Sequence, residues 1–223
     1  RPGDIPLKFP TEVERGCPYD CGVCPDHEQH MCLGLIDLTD DCNLACPTCF
    51  ADSKGSAYLT MDQIKAALDG FIEQEGVGAV IQFSGGEPTM HPQIVEAVKE
   101  AVDRPTEVVM INTNGIKFAQ DEDLIKRLVD VSENKLEIYL QFDGFTDEVH
   151  QKIRGAKLVD IKMKAIENML KHGLPINLAA VIQRGVNEDQ VGKIVEFGIE
   201  TKGIRGVNFQ PAFFAGRYDH DMN

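Results

Sequence analysis

Seven cysteines carry the most reactive chemistry in this sequence, and all of them fall between Cys17 and Cys49. Cys42, Cys46 and Cys49 are separated by three and then two residues. Three thiolates so spaced can wrap one cubane, each on a different iron, and thiolate-rich sets suit iron–sulfur clusters or zinc. No fourth cysteine follows, so one iron is left without a protein ligand and open to a small molecule. Cys17, Cys21 and Cys24 repeat the spacing, and Cys32 supplies a fourth donor. That set predicts a closed auxiliary centre, an iron–sulfur cluster or a single iron ahead of a zinc. His27 and His30 lie in the same loop and are read as exposed histidines rather than ligands. Disulfides tie distant segments together, whereas an odd number of clustered cysteines points to metal and to a reducing, cytoplasmic setting.

Gly85-Gly86-Glu87-Pro88 is the second chemical signal. Glycines let backbone groups approach a ligand closely. Glu87 adds a carboxylate able to accept from an ammonium group, and Pro88 stiffens the turn. Together they predict a seat for the amino group of an amino-acid ligand. Other polar residues close predicted strands: Asn112 and Thr113, Gln141 and Asp143, Gln183, and Gln210. Asp143 and His150 are read as a strand cap and a loop residue, and no catalytic residue is assigned beyond the cluster.

These residues need a frame. Residues 1–32 show little periodicity and need a metal to fix their shape, so they read as a separate cysteine-rich segment ahead of a core over 33–223. Apolar segments at Leu33–Thr39, Val77–Ser84, Glu107–Thr113, Leu136–Phe142, Ile176–Gln183 and Gly206–Phe214 read as strands. Helical patterns over Met61–Gln74, His91–Val102, Asp121–Val131, Val159–His172 and Glu188–Thr201 separate them, with Thr60 as an N-cap and Gly173 as a C-terminal cap. The alternation predicts an α/β fold with a parallel sheet. Polar groups at every strand's C-terminal end favour a curved, barrel-like sheet around a cavity.

The three-cysteine loop, the Gly85–Pro88 turn and the six strands together resemble the radical S-adenosylmethionine superfamily, over about Gly34 to Phe214. The resemblance implies a partial (β/α)6 TIM-like barrel with an N-terminal cysteine-rich metal-binding extension. It implies a [4Fe–4S] cluster on Cys42, Cys46 and Cys49, with S-adenosylmethionine chelating the open iron. Gly85–Pro88 would take the methionine amino group. Asn112 and Thr113 would touch the cofactor, Gln141, two residues before Asp143, the ribose, and Gln183 and Gln210 the adenine region, with Asp143 also counted among the cofactor-binding residues. The aromatic residue the family carries before its third cysteine is Thr48 here, with Phe50 after it. The implied activity is reductive cleavage to methionine and a 5′-deoxyadenosyl radical that abstracts hydrogen. An external one-electron donor, such as a ferredoxin or flavodoxin, would drive it.

The stretch Gly16–Ala51 is similar to one subfamily that holds tetraether lipid synthase and proteins that methylate a methanopterin precursor. Some members carry further metal centres in a C-terminal region, so the chain is read as a fragment. The first expectation is C–C bond formation between lipid alkyl chains, with Ala212-Phe213-Phe214 as a candidate apolar groove. Methylation of a pterin is the alternative, and a non-catalytic zinc or electron-transfer module is the competing class. The net charge of −14 repels phosphate backbones, which argues against a nucleic-acid partner. No apolar run approaches the roughly 18–20 residues of a transmembrane helix.

Overall fold

Six short apolar-patterned segments form one parallel sheet because each crossover carries a helix that buries the sheet's outer face. The computed structural model describes residues 33–213 and 215–217. The expected auxiliary ligands Cys17, Cys21, Cys24 and Cys32, and with them the segment 1–32, lie outside the described residues.

The strands are β1 (Gly34–Thr39), β2 (Ala79–Gly85), β3 (Thr106–Thr113), β4 (Leu136–Gln141), β5 (Ile176–Ile182) and β6 (Ile204–Pro211). They lie side by side in chain order, every pair parallel. This is the open, partial-barrel arrangement the sequence predicts, with β1 and β6 as its two edges. The helices are α1 (Met61–Glu75), α2 (Ile94–Val102), α3 (Ile116–Gln120), α4 (Glu122–Val131), α5 (Asp147–Arg154), α6 (Val159–Lys171) and α7 (Val191–Glu200).

The period-two pattern of the strands divides their side chains. Ile36, Leu38, Ile81, Phe83, Val109, Ile111, Ile138, Leu140, Ile176 and Leu178 are buried in the core cluster with residues of the helices. Full burial of one such side chain contributes about 1.5–3 kcal/mol. The alternate residues, among them Asp37, Ser84, Asn112, Tyr139, Gln141 and Gln210, line a cavity instead.

Thr60 caps α1 in a reciprocal box with Gln63, as its sequence position predicts. Three elements differ from expectation by three residues at one end. The helix predicted from His91 starts at Ile94, because Glu87 caps a short 3-10 turn over Pro88–Met90. The helix predicted from Glu188 likewise begins with a 3-10 turn, and α7 proper starts at Val191. The last strand starts at Ile204 and ends at Pro211. Two short helices, α3 and α5, fall in segments that the sequence pattern leaves as loops. No helix among the described residues is long and apolar enough to cross a membrane.

Candidate functional site

The cavity opens where the strands end. Residues following β1 contribute Cys42, Cys46, Thr48, Cys49 and Phe50 to its lining, and the end of β2 contributes Ser84, Gly85 and Gly86. Asn112, Tyr139, Gln141, Ala179, Val181 and Gln210 continue the wall from β3 to β6. The three cysteines of the open set thus share one cavity with the glycine turn.

Several ties shape the cysteine loop. The Cys49 N–H donates to the Cys46 carbonyl at 3.2 Å. Thr48 Oγ1 donates to the Ile153 carbonyl at 3.1 Å, fastening the loop to α5. Arg217 closes the other side. Its N–H donates to the Cys49 carbonyl at 2.8 Å, and its guanidinium reaches Asp52 Oδ1 at 2.9 Å and the Ser53 carbonyl at 2.7 Å. Arg217 follows β6 and the loop follows β1, so these bonds span the gap between the two sheet edges.

The glycine turn packs directly on the start of that loop. The Gly86 N–H donates to the Thr39 carbonyl at 2.7 Å, and the Glu87 N–H to the Asp41 carbonyl at 2.8 Å. A Cβ on Gly86 would collide with the Asp41 carbonyl, and one on Gly85, at φ +113, with that of Thr39. The two glycines are therefore required by the chain's own packing before any ligand is considered.

Glu87 departs from its expected role. It is 1% exposed and does not line the cavity. Its Oε1 accepts from the Thr89 N–H and hydroxyl and from the Thr113 hydroxyl at 2.7 Å, and its Oε2 from the Asn114 N–H at 2.8 Å. Both carboxylate oxygens are thus committed to joining the ends of β2 and β3. Thr113 is fully buried by that bond, and Pro88 begins the 3-10 turn. Asn112, Gln141 and Gln210 do face the cavity, whereas Gln183 is buried with its Oε1 unpartnered.

Asp143 also points away from the cavity. It is fully buried and pairs with Arg154 of α5, Nε to Oδ2 at 2.6 Å and NH2 to Oδ1 at 2.8 Å. Burial alone would raise the Asp143 pKa, but the guanidinium beside it prevails and holds the carboxyl below its ordinary value. Arg154 NH1 donates to Gln141 Oε1 at 2.7 Å, which fixes the amide that enters the cavity. The guanidinium also reaches Cys46. His150 is fully buried beside this pair, its Nε2 2.9 Å from the Gly144 carbonyl. Burial lowers its pKa, so it stands as a neutral packing residue.

The cysteines are part-buried. Burial pushes the Cys42 thiol up to about 11 and raises that of Cys46 against the pull of Arg154. Such thiols give up their protons to a metal rather than to water. Cys46 and Cys49 lie near enough to raise the Cys42 pKa, and Cys49 near enough to raise that of Cys46. Among the described residues, however, no three acidic, histidine or cysteine side chains converge to grip a single ion.

Sequence reasoning missed Asp37, Arg154, Lys162 and Arg217. Arg154 could have been found, because Thr146, followed by Asp147 and Glu148 and closed by Gly155, is a helix signature. Asp37 carries no such mark beyond its place in the strand alternation.

An open parallel barrel with three cysteines and a double-glycine turn facing one cavity defines a metallocofactor-binding α/β barrel protein. The Radical SAM superfamily profile matches residues 36–198, and the chain belongs to that family, whose members bind a [4Fe–4S] cluster and S-adenosylmethionine. The 7,8-dihydro-6-hydroxymethylpterin dimethyltransferase of Methanocaldococcus jannaschii is 39% identical over 214 residues, covering 94% of this chain and 42% of that protein. The Fe-coproporphyrin III synthase of Methanosarcina barkeri is 30% identical over 192 residues, covering 84% and 45%. The chain spans less than half the length of both relatives. Streptococcus suis SuiB bound to S-adenosylmethionine has the same fold, with a TM-score of 0.67 at 19% identity over 82% of this chain and 41% of that one.

Proposed function

We propose that this chain is the cofactor-binding part of a radical S-adenosylmethionine enzyme that methylates a pterin. The observation that carries the reading is the 39% identity with a pterin dimethyltransferase across nearly the whole chain. The cavity lining agrees. Beside the apolar Leu44, Phe50, Ala179 and Val181, its wall sets hydrogen-bonding side chains at Ser84, Asn112, Tyr139, Gln141 and Gln210. Asp37, set in register beside Ser84, is the one carboxylate on that wall among the described residues. A carboxylate matches the paired N–H donors on the edge of an aminopyrimidinone ring. The coupling of lipid alkyl chains, the first expectation from sequence, lacks comparable support.

Cys42, Cys46 and Cys49 would hold the cluster, leaving one iron for S-adenosylmethionine. When bound, the two together supply one-electron reductive cleavage of the sulfonium C–S bond and, from it, hydrogen abstraction at an unactivated carbon. This chain's residues bind and orient. The backbone of Gly85 and Gly86 would take the methionine end, and Asn112, Gln141 and Gln210 would hold the nucleoside. Arg154 holds Gln141 in one orientation. Cys17, Cys21, Cys24 and Cys32 would form an auxiliary iron centre in a separate N-terminal segment, and a ferredoxin or flavodoxin would supply the electron.

The test is anaerobic reconstitution with iron and sulfide, dithionite reduction, and incubation with S-adenosylmethionine and 7,8-dihydro-6-hydroxymethylpterin. Formation of 5′-deoxyadenosine and methylated pterin is expected from the full-length protein. Cleavage that the pterin neither accelerates nor consumes overturns the substrate assignment.

A further inference from the structure

A fully buried amine lies under the cysteine loop, and nothing in the proposed chemistry uses it. Lys162 sits in the middle of α6 with no exposed surface. Its Nζ donates to the Asn114 carbonyl at 2.5 Å. A lysine in a core is costly to bury, and an apolar side chain of similar length would fill the space at less cost. Lys164 and Lys171 of the same helix keep their heads in solvent. The buried amine therefore has to be explained by what it touches.

Asn114 is a junction. Its N–H donates to Glu87 Oε2 at 2.8 Å, and its Oδ1 accepts from the Ile116 N–H at 3.0 Å. Its Nδ2 donates to Asn43 Oδ1 at 2.6 Å. Asn43 is the residue directly after Cys42. The four polar groups of one asparagine thus connect α6, the glycine turn, α3 and the cysteine loop. The Lys162 amine is the donor on its carbonyl, and burial pushes the pKa of that amine down to about 7.

We propose that Lys162 is a positioning residue for the cluster: by fixing the Asn114 carbonyl from below, it holds the Asn114 amide that grips Asn43 and so sets the placement of Cys42. The assignment concerns the loop, and stands whatever the substrate.

Two variants cut the chain of bonds at opposite ends. Lys162→Met removes the amine while keeping the side-chain length. Asn43→Ala removes the exposed end and leaves the core untouched. The measurements are hydrogen exchange over residues 42–46 in metal-free protein, the electron paramagnetic resonance spectrum of the reduced cluster, and the dissociation constant of S-adenosylmethionine. Both variants are expected to exchange faster over the loop and to show an altered cluster spectrum. Cofactor binding should weaken roughly tenfold, the effect of losing one hydrogen bond. The double variant should be no worse than the poorer single, because both act on one path. A Lys162→Met protein with wild-type loop exchange and spectrum overturns the proposal, as does a silent Asn43→Ala beside a damaged Lys162→Met. Lys162→Leu, which also removes the donor, replaces Lys162→Met if that variant does not fold, and the same two results overturn the proposal.

Discussion

Arg154 and Asp143 form a two-pronged ion pair with no more than a sliver of exposed surface, at 2.6 and 2.8 Å, and Arg154 lines the cavity beside Gln141. Removing one partner strands the other charge. Asp143→Asn and Arg154→Met should each destabilise the fold by about 3–5 kcal/mol. The double variant should cost less than the sum of the two, since neither charge is then left alone. Urea unfolding of the three proteins measures this, and additive losses would mean the pair is not coupled.

The cysteine assignment separates two sets. Alanine at Cys42, Cys46 or Cys49 should abolish cleavage of S-adenosylmethionine. Alanine at Cys17 should lower iron content and leave cleavage in place. Iron analysis with detection of 5′-deoxyadenosine checks both. Loss of cleavage only in Cys17→Ala would show that the two sets exchange roles.

Gly86→Ala places a methyl group on the Asp41 carbonyl. The cysteine loop has to move to admit it, at about 1–3 kcal/mol. A lowered Tm together with weakened cofactor binding is expected, by calorimetry and by titration. An unchanged Tm would mean that the loop yields freely at this point.

Asp37→Asn keeps the shape of the side chain and removes its charge. If Asp37 receives the N–H edge of the pterin, affinity should fall about tenfold or more, since charge-assisted hydrogen bonds contribute about 1.5–3 kcal/mol. Cofactor cleavage without the pterin should be unaffected. Equal pterin affinity in the two proteins removes Asp37 from the site.

Far from the cavity, Lys171 and His172 hold Glu122 between them and depress its pKa to about 2. A carboxylate with a depressed folded pKa stabilises the native state above its unfolded value. That contribution is lost as the pH falls through the folded value. The difference in urea midpoint between wild type and Glu122→Gln should therefore be constant near neutrality. It should shrink between about pH 4.5 and pH 2, the ordinary and the depressed values. A difference that persists at pH 2 would rule out this charge as its source.

The alternation of apolar strands and capped helices made the sheet, its parallel sense and its open barrel form legible in the sequence. The C-terminal strand ends were legible as the site for the same reason, since the topology gathers them on one side. α5 was missed because its eight residues are mostly polar and bury only Val149, His150, Ile153 and Arg154, which left the caps at Thr146 and Gly155 as its signal. Glu87 and Asp143 illustrate the other limit. Both are acids beside a strand end, and sequence gives such a side chain no direction. Thr89, Thr113 and Asn114 turn Glu87 inward, as Arg154 turns Asp143, and each of these partners is distant from its acid in sequence or hidden in a segment read as loop.

The strands add to the sheet in the order in which they are translated, so each new unit can dock on an edge that already exists. The cysteine loop emerges with the first of these units, yet the bonds that tether it across the barrel's open side come from Arg217, after the sixth. During synthesis the three thiols therefore stand ready for metal while the tether is still unmade. Delivery of iron and sulfide meets an accessible loop early and a fastened one late, which makes the timing of assembly a property of the topology.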